Sequence, residues 1–227
     1  MAKPALRVLR TGGLYFNGVN DYVKVPYNSM FDLQEYTISV EFNPLRYVNL
    51  NGRGDVILCR HDRAGYAHQY EISLTSPTQG CFFYTIAGAN KTIDFTYNLG
   101  EYIHIAATAK TGEQALYKNG VLVGRNAYEG TFSYTTRGTF LGKAYHGDPA
   151  NVIIKRVCIY NRVLSRSEIS EIYTKGTFIK DGLVMCLPFH EGEGNIAHDV
   201  SGYGNHGTIY GASWVVKKAL RVLPKAR

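Results

Sequence analysis

A chain of 227 residues with 45% hydrophobic and 19% charged residues has the balance of a protein with a sizeable core, which excludes intrinsic disorder and fits one large all-β domain. Its net charge of +7 favours acidic surfaces, but the lysines and arginines cluster only near the termini and no recognition motif accompanies them, so nucleic acid is not an expected partner. No apolar run is long enough to span a bilayer, and the N-terminus lacks the apolar block of a secretory signal, so the chain is expected to be either mature or exported another way.

In chain order, Ala5–Leu9 and Leu14–Phe16 read as short apolar strands, followed by Tyr22–Val25, which Pro26 stops. Tyr36–Asn43 places Ile38, Val40 and Phe42 on one face and Thr37, Ser39 and Glu41 on the other, with Pro44 as its expected end. Leu45–Gly54 reads as a loop holding Asn51-Gly52 and the tripeptide Arg53-Gly54-Asp55. So short a motif is no argument for adhesion, and Asp55 reads as the start of the strand Val56–Arg60. His61, Asp62 and Arg63 read as a polar turn. Tyr70–Leu74, Cys81–Ile86, Thr92–Tyr97 and Tyr102–Thr108 continue the series at the spacing of a β-sandwich. Eighteen tyrosines suit such pleated, half-buried surfaces.

Ala115–Gly124 predicts a hairpin, because Asn119-Gly120 supplies the two positive φ values of a type I′ turn. Phe140–Gly142 and Val152–Tyr160 read as strands, with His146, Gly147 and Asp148 in the loop between them. Ser165 with Glu168 three residues later forms a capping box, so one short helix is expected near 165–173, its apolar stripe carried by Ile169 and Ile172.

The most informative stretch is Asp199–Gly207 (D-V-S-G-Y-G-N-H-G), too rich in glycine for helix or strand. Such an oxygen-rich loop either turns the chain at a sheet's edge or gathers ligands for a hard cation. The segment D-G-L-V-M-C-L-P-F-H-E-G-E-G-N-I-A-H-D-V-S-G-Y-G-N-H-G-T-I-Y-G-A-S-W (Asp181–Trp214) resembles the opening of a laminin G-like domain of the concanavalin A-like lectin/glucanase superfamily. L-Y-F-N-G-V-N-D-Y-V-K-V-P (Leu14–Pro26) resembles the F-x-G-x-x-D-Y-V strand that comes next in that family. A-L-Y-K-N-G-V-L-V-G (Ala115–Gly124) and C-I-Y-N-R-V-L-S-R-S-E-I-S-E-I-Y (Cys158–Tyr173) resemble the family's late hairpin and its closing strand and helix. The order is inverted, so the resemblance implies a circularly permuted jelly-roll sandwich of two antiparallel sheets.

The ends repeat K-P-A-L-R-V-L (Lys3–Leu9) as K-K-A-L-R-V-L (Lys217–Leu223). Residues 181–223 are therefore expected to supply the family's N-terminal strands, either in cis within one domain spanning 1–227 or exchanged with a neighbouring subunit to give a ring or filament. The cis route is favoured because it carries no association cost. By resemblance, Asp199 and Asn205, with Asn17 and Asp21, form a candidate structural Ca2+ site, although all four also suit turns. Cys59, Cys81, Cys158 and Cys186 lie too far apart in sequence for a zinc site. If the first and last strands are neighbours as in the family, strand phase turns the sulfurs of Cys158 and Cys186 to one face, where they can pair; four buried free thiols are the alternative.

Catalysis is disfavoured. Glycosidases of the superfamily carry an E-x-D-x-E strand; here Glu41 stands alone, and Glu191 and Glu193 sit in a glycine-interrupted loop. The expected function is a non-catalytic, lectin-like module that recognises carbohydrate or a surface protein outside the cell or on a virion. The alternative is a self-assembling structural subunit of a virion surface, capsid or filament that uses the duplicated edge strand.

Overall fold

The computed structural model describes residues 12–62, 67–144 and 148–215. The two copies of the repeated terminal segment, the strand expected at Ala5–Leu9 and the loop residues His146 and Gly147 lie outside the described residues.

Among the described residues, sixteen strands form two antiparallel sheets. They are β1 (Leu14–Asn17), β2 (Tyr22–Val25), β3 (Tyr36–Arg46), β4 (Asp55–Asp62), β5 (Ala67–Leu74), β6 (Gln79–Ile86), β7 (Ala89–Thr96), β8 (Ile103–Lys110), β9 (Glu113–Lys118), β10 (Val121–Asn126), β11 (Thr139–Leu141), β12 (Asn151–Tyr160), β13 (Leu183–Leu187), β14 (Ile196–Ala197), β15 (Gly207–Tyr210) and β16 (Ser213–Trp214). The first sheet runs β10-β9-β8-β3-β12-β1-β16, with β13 also on β12; the second runs β14-β15-β2-β11-β4-β5-β6-β7. One edge of β12 is shared, since residues 151–154 pair with β1 and residues 157–160 with β13. Strands from residues 183–214 thus enter both sheets within the same chain: β13 on β12, β16 on β1 and β15 on β2.

The core lies between the sheets. Ile38, Val40 and Phe42 of β3 are completely buried in it, as the alternation requires. Asn119 (φ 51°) and Gly120 (φ 77°) make the type I′ turn between β9 and β10. The helix α1 (Arg166–Lys175) starts at Ser165 with both arms of its capping box formed and ends at Gly176 in the left-handed region. It lays Ile169 and Ile172 on the outer face of the first sheet, over Ala106, Cys158, Tyr160, Leu183 and Cys186. Burying each isoleucine contributes about 1.5–3 kcal/mol, and a small residue at Ala106 lets the helix approach.

Several boundaries differ from expectation, and for two of them the strand register gives the reason. Pro44 does not end β3, which continues to Arg46: Pro44 faces Val152 where the register shifts between Asn151 and Val152, a bulge that tolerates a residue without N–H. His61 and Asp62 do not form a turn. They extend β4, because His61 pairs with His68 beyond a second register shift.

Candidate functional site

The glycine-rich loop is held by one carboxylate. Asp199 Oδ1 accepts the N–H groups of Cys186 (2.8 Å) and Ser201 (2.9 Å), and Oδ2 accepts the Asn205 N–H (2.9 Å) and the Ser201 hydroxyl (2.6 Å). Val200 donates back to the Cys186 carbonyl. The loop is thereby sewn to β13. Gly202 (φ 99°) and Gly204 (φ 73°) lie in a region other residues avoid, which allows so sharp a fold. Asn205 adds a second anchor, donating to the Val184 carbonyl (2.8 Å) while accepting from Asn28 (3.0 Å).

A groove of about 420 Å³ opens beside this loop, lined by Asn161, Arg162, Lys180, Asp181, Gly182, Leu183, Ser201, Gly202 and Tyr203. Its opposite wall is equally fixed. Arg162 forms a two-pronged ion pair with Glu168 (3.0 and 2.6 Å) and reaches Asp181 Oδ2 through Nε (2.9 Å). That guanidinium and the capping hydrogen bonds from Ser165 hold the Glu168 carboxyl down to about 2. Gly182 (φ 73°) packs under the Arg162 stem, where a Cβ would come within 2.8 Å of Cγ. The result is a rigid, mostly polar trough with one projecting ring, Tyr203, 57% exposed. Fixed amide, carboxylate and hydroxyl groups beside an exposed aromatic ring can hydrogen-bond and stack on a polyhydroxylated ligand.

The four candidate calcium ligands do not meet in one place. Asp199 and Asn205 precede β15, whereas Asn17 and Asp21 adjoin Gly211 at its far end, where a Cβ on Gly211 would lie 2.3 Å from Asp21 Oδ1. A four-residue strand separates the pairs by about 10 Å, too far for one ion with bonds of about 2.4 Å. Each pair also serves its own turn: Asp21 accepts the Asn17 N–H, Asn17 Oδ1 accepts from Val19 and Asn20, and Asp199 has four donors for its four lone-pair sites. Each pair braces its own turn.

The other residues singled out by sequence occupy separate places. Cys158 and Cys186 lie directly opposite each other on β12 and β13 and form a disulfide, while Cys59 and Cys81 are buried thiols. Asp55 of the R-G-D tripeptide is completely buried and accepts the N–H groups of Val48 and Asn49, so it is not offered to a receptor. Glu41 is paired with Lys155 (3.0 Å) and Arg156 (3.5 Å), and Glu191 accepts the His198 N–H.

Two buried polar groups went unread in the sequence. Arg60 points into the sandwich, where it donates to Asp32, Gln69 and the carbonyls of Phe31 and Thr135. His104 stands in a cross-strand row with Glu41 and Arg156 on the outer face of the first sheet. Its Nε2 shares a hydrogen bond with Ser39 Oγ (2.8 Å), and its Nδ1 has no partner beside a cavity of about 220 Å³ lined also by Tyr102 and Tyr173. Burial, then the nearby Arg156 charge, lowers its pKa to about 3.

Comparison with known proteins agrees with this architecture. The model of the concanavalin A-like lectin/glucanases superfamily, laminin G type, matches residues 17–170. A search of curated protein sequences finds no match. Among solved structures, a candidate carbohydrate-binding protein from Bacteroides ovatus superposes with a TM-score of 0.73 at 15% identity, over 92% of this chain and 61% of that one. This chain therefore spans about three fifths of that protein's length. A heptameric SAP-like pentraxin from Limulus polyphemus gives 0.56 at 14% identity over 77% and 91% of the two chains. The binding domain of botulinum neurotoxin DC, in complex with SialylT, gives 0.53 at 18% identity over 74% and 45%. At such identities the likeness is one of fold.

Proposed function

The chain belongs to the concanavalin A-like lectin/glucanases superfamily, and from that premise we propose that it is a non-catalytic, lectin-like module that binds carbohydrate in the groove beside Tyr203. The observation that carries this reading is the groove itself: an exposed ring next to Asn161, Asp181 and Ser201, on walls locked by Asp199 and by the Arg162–Glu168 pair. Sugar binding rewards such pre-organisation, since little side-chain freedom is lost when the ligand arrives. Structural neighbours described as carbohydrate-binding or as toxin binding domains support the ligand class. The Cys158–Cys186 disulfide supports a site of action in an oxidising compartment, outside the cell. The test is a glycan array followed by calorimetry with the best sugar. Tyr203→Ala and Asp181→Ala should each weaken binding about tenfold or more, with unchanged melting. Absence of any glycan ligand, or parental affinity in both variants, would overturn the proposal.

A second reading, assembly through a sheet edge, is favoured by β10. It is an outermost strand of the first sheet among the described residues and exposes Val121 and Val123. Concentration-dependent oligomers in light scattering, lost on Val123→Lys, would support it; a monomer at all concentrations would exclude it.

A further inference from the structure

On the outer face of the second sheet, two histidines converge on one carboxylate oxygen. His61 Nε2 lies 3.5 Å and His68 Nδ1 3.7 Å from Glu71 Oε2, and one ligand atom from each residue lies within 4.8 Å of the others. No other group of three or more histidines, cysteines and acids converges in this way among the described residues.

The arrangement depends on a backbone irregularity. In a regular strand, His68 and Glu71 are three apart and point to opposite faces. Here β4 and β5 fall out of step: Arg60 pairs with Tyr70, His61 pairs with His68, and Gln69 is the extra residue. Gln69 turns inward, where its amide donates to the carbonyls of Phe31 and Leu33 and its oxygen receives Arg60. That inward turn returns His68 to the face occupied by His61 and Glu71, which is how a bulge re-aims a side chain. The rings are then packed: His68 stacks on His61 at 4.5 Å and meets the Phe83 ring edge-on at 4.6 Å. All three side chains are largely shielded, with 5%, 20% and 13% exposure for His61, His68 and Glu71.

A tetrahedral ion with bonds of about 2.0–2.1 Å needs donor atoms roughly 3.3 Å apart. The two nitrogen–oxygen separations exceed that by a few tenths of an ångström, within reach of small side-chain rotations. Two imidazoles and one carboxylate suit zinc and its transition-metal neighbours, whereas calcium requires six to eight oxygens. We propose that His61, His68 and Glu71 bind a divalent transition-metal ion of the zinc class, with its fourth position open to water, clipping β4 to β5.

The test uses untagged protein stripped with a chelator and titrated with zinc chloride in a calorimeter. One equivalent should bind, with a melting rise of about 5–10 °C at a hundredfold excess over Kd. His68→Ala and Glu71→Gln should each lose at least about tenfold in affinity. His198→Ala, which alters the other close histidine pair (His198 and His206, 5.3 Å between rings), should bind as the parent does. Cobalt(II) should give the visible bands of a tetrahedral site in the parent and in His198→Ala only. Failure to bind zinc, or equal binding by the parent, His68→Ala and Glu71→Gln with native circular dichroism, would overturn the proposal.

Discussion

His104 should make this fold acid-sensitive well above the range where carboxylates titrate. Its folded pKa of about 3 lies below the ordinary 6.5, so between these values only the unfolded chain takes up the proton. The stabilisation is fully present above 6.5 and is lost as pH falls toward 3. At about pH 5 the linkage relation gives a loss of roughly 2 kcal/mol, or about 4–8 °C in melting temperature for a domain of this size. Neighbouring charge does not rescue the imidazolium: Glu41 beside it is already engaged by Lys155 and Arg156, Arg156 repels it, and the helix brings the Tyr173 ring over it. The assay is urea denaturation of the parent and His104→Gln at about pH 7.5 and about pH 5; the amide can keep a hydrogen bond to Ser39 but does not titrate. The other six histidines contribute equally to both proteins. The difference in stability change between them should therefore be about 2 kcal/mol. An identical pH dependence, or an imidazole resonance for His104 that titrates near 6.5, would refute this reasoning.

Three further perturbations address the frame. Asp199→Ala strands three backbone N–H groups and should cost about 2–4 kcal/mol by denaturant melting, whereas a residue that only decorated the surface would cost nearly nothing. Reducing the Cys158–Cys186 bond, which closes a loop of separation 28, should cost about 3–4 kcal/mol, and Cys158→Ser should reproduce that loss without added reductant. Arg60→Ala leaves Asp32 and the Phe31 and Thr135 carbonyls short of a donor and should cost about 3–5 kcal/mol; Arg60→Met, with similar bulk, should lose less only if packing contributes much of the effect.

The features legible in the sequence are those whose cause is local. A capping box needs only Ser165 and Glu168, a type I′ turn only Asn119 and Gly120, and the facing of Cys158 and Cys186 only strand phase plus one neighbour relation. The features missed depend on distant segments. Arg60 is tolerable inside because Phe31, Asp32, Gln69 and Thr135, up to 75 residues away, converge on it. His68 faces Glu71 only because Gln69 is squeezed out of register, which no local pattern announces. The candidate calcium residues fall into two separate pairs for a related reason: the loops before and after β15 lie at opposite ends of that strand. Within the groove, the glycine loop was recognisable from its composition, but Arg162 was not, since its place opposite Tyr203 is set by docking of the helix segment.

The late strands also fix an order of events during synthesis. β1 lies between β12 and β16, and β2 between β11 and β15, so both early strands await partners translated at the far end of the chain. Until the residues of β15 and β16 leave the ribosome, a nascent protein presents two open ladders, and contacts of such long range close slowly. That interval is when a second copy competes best with the chain's own tail for the vacant places, so crowded polysomes would be expected to promote intertwined products that dilute refolding avoids.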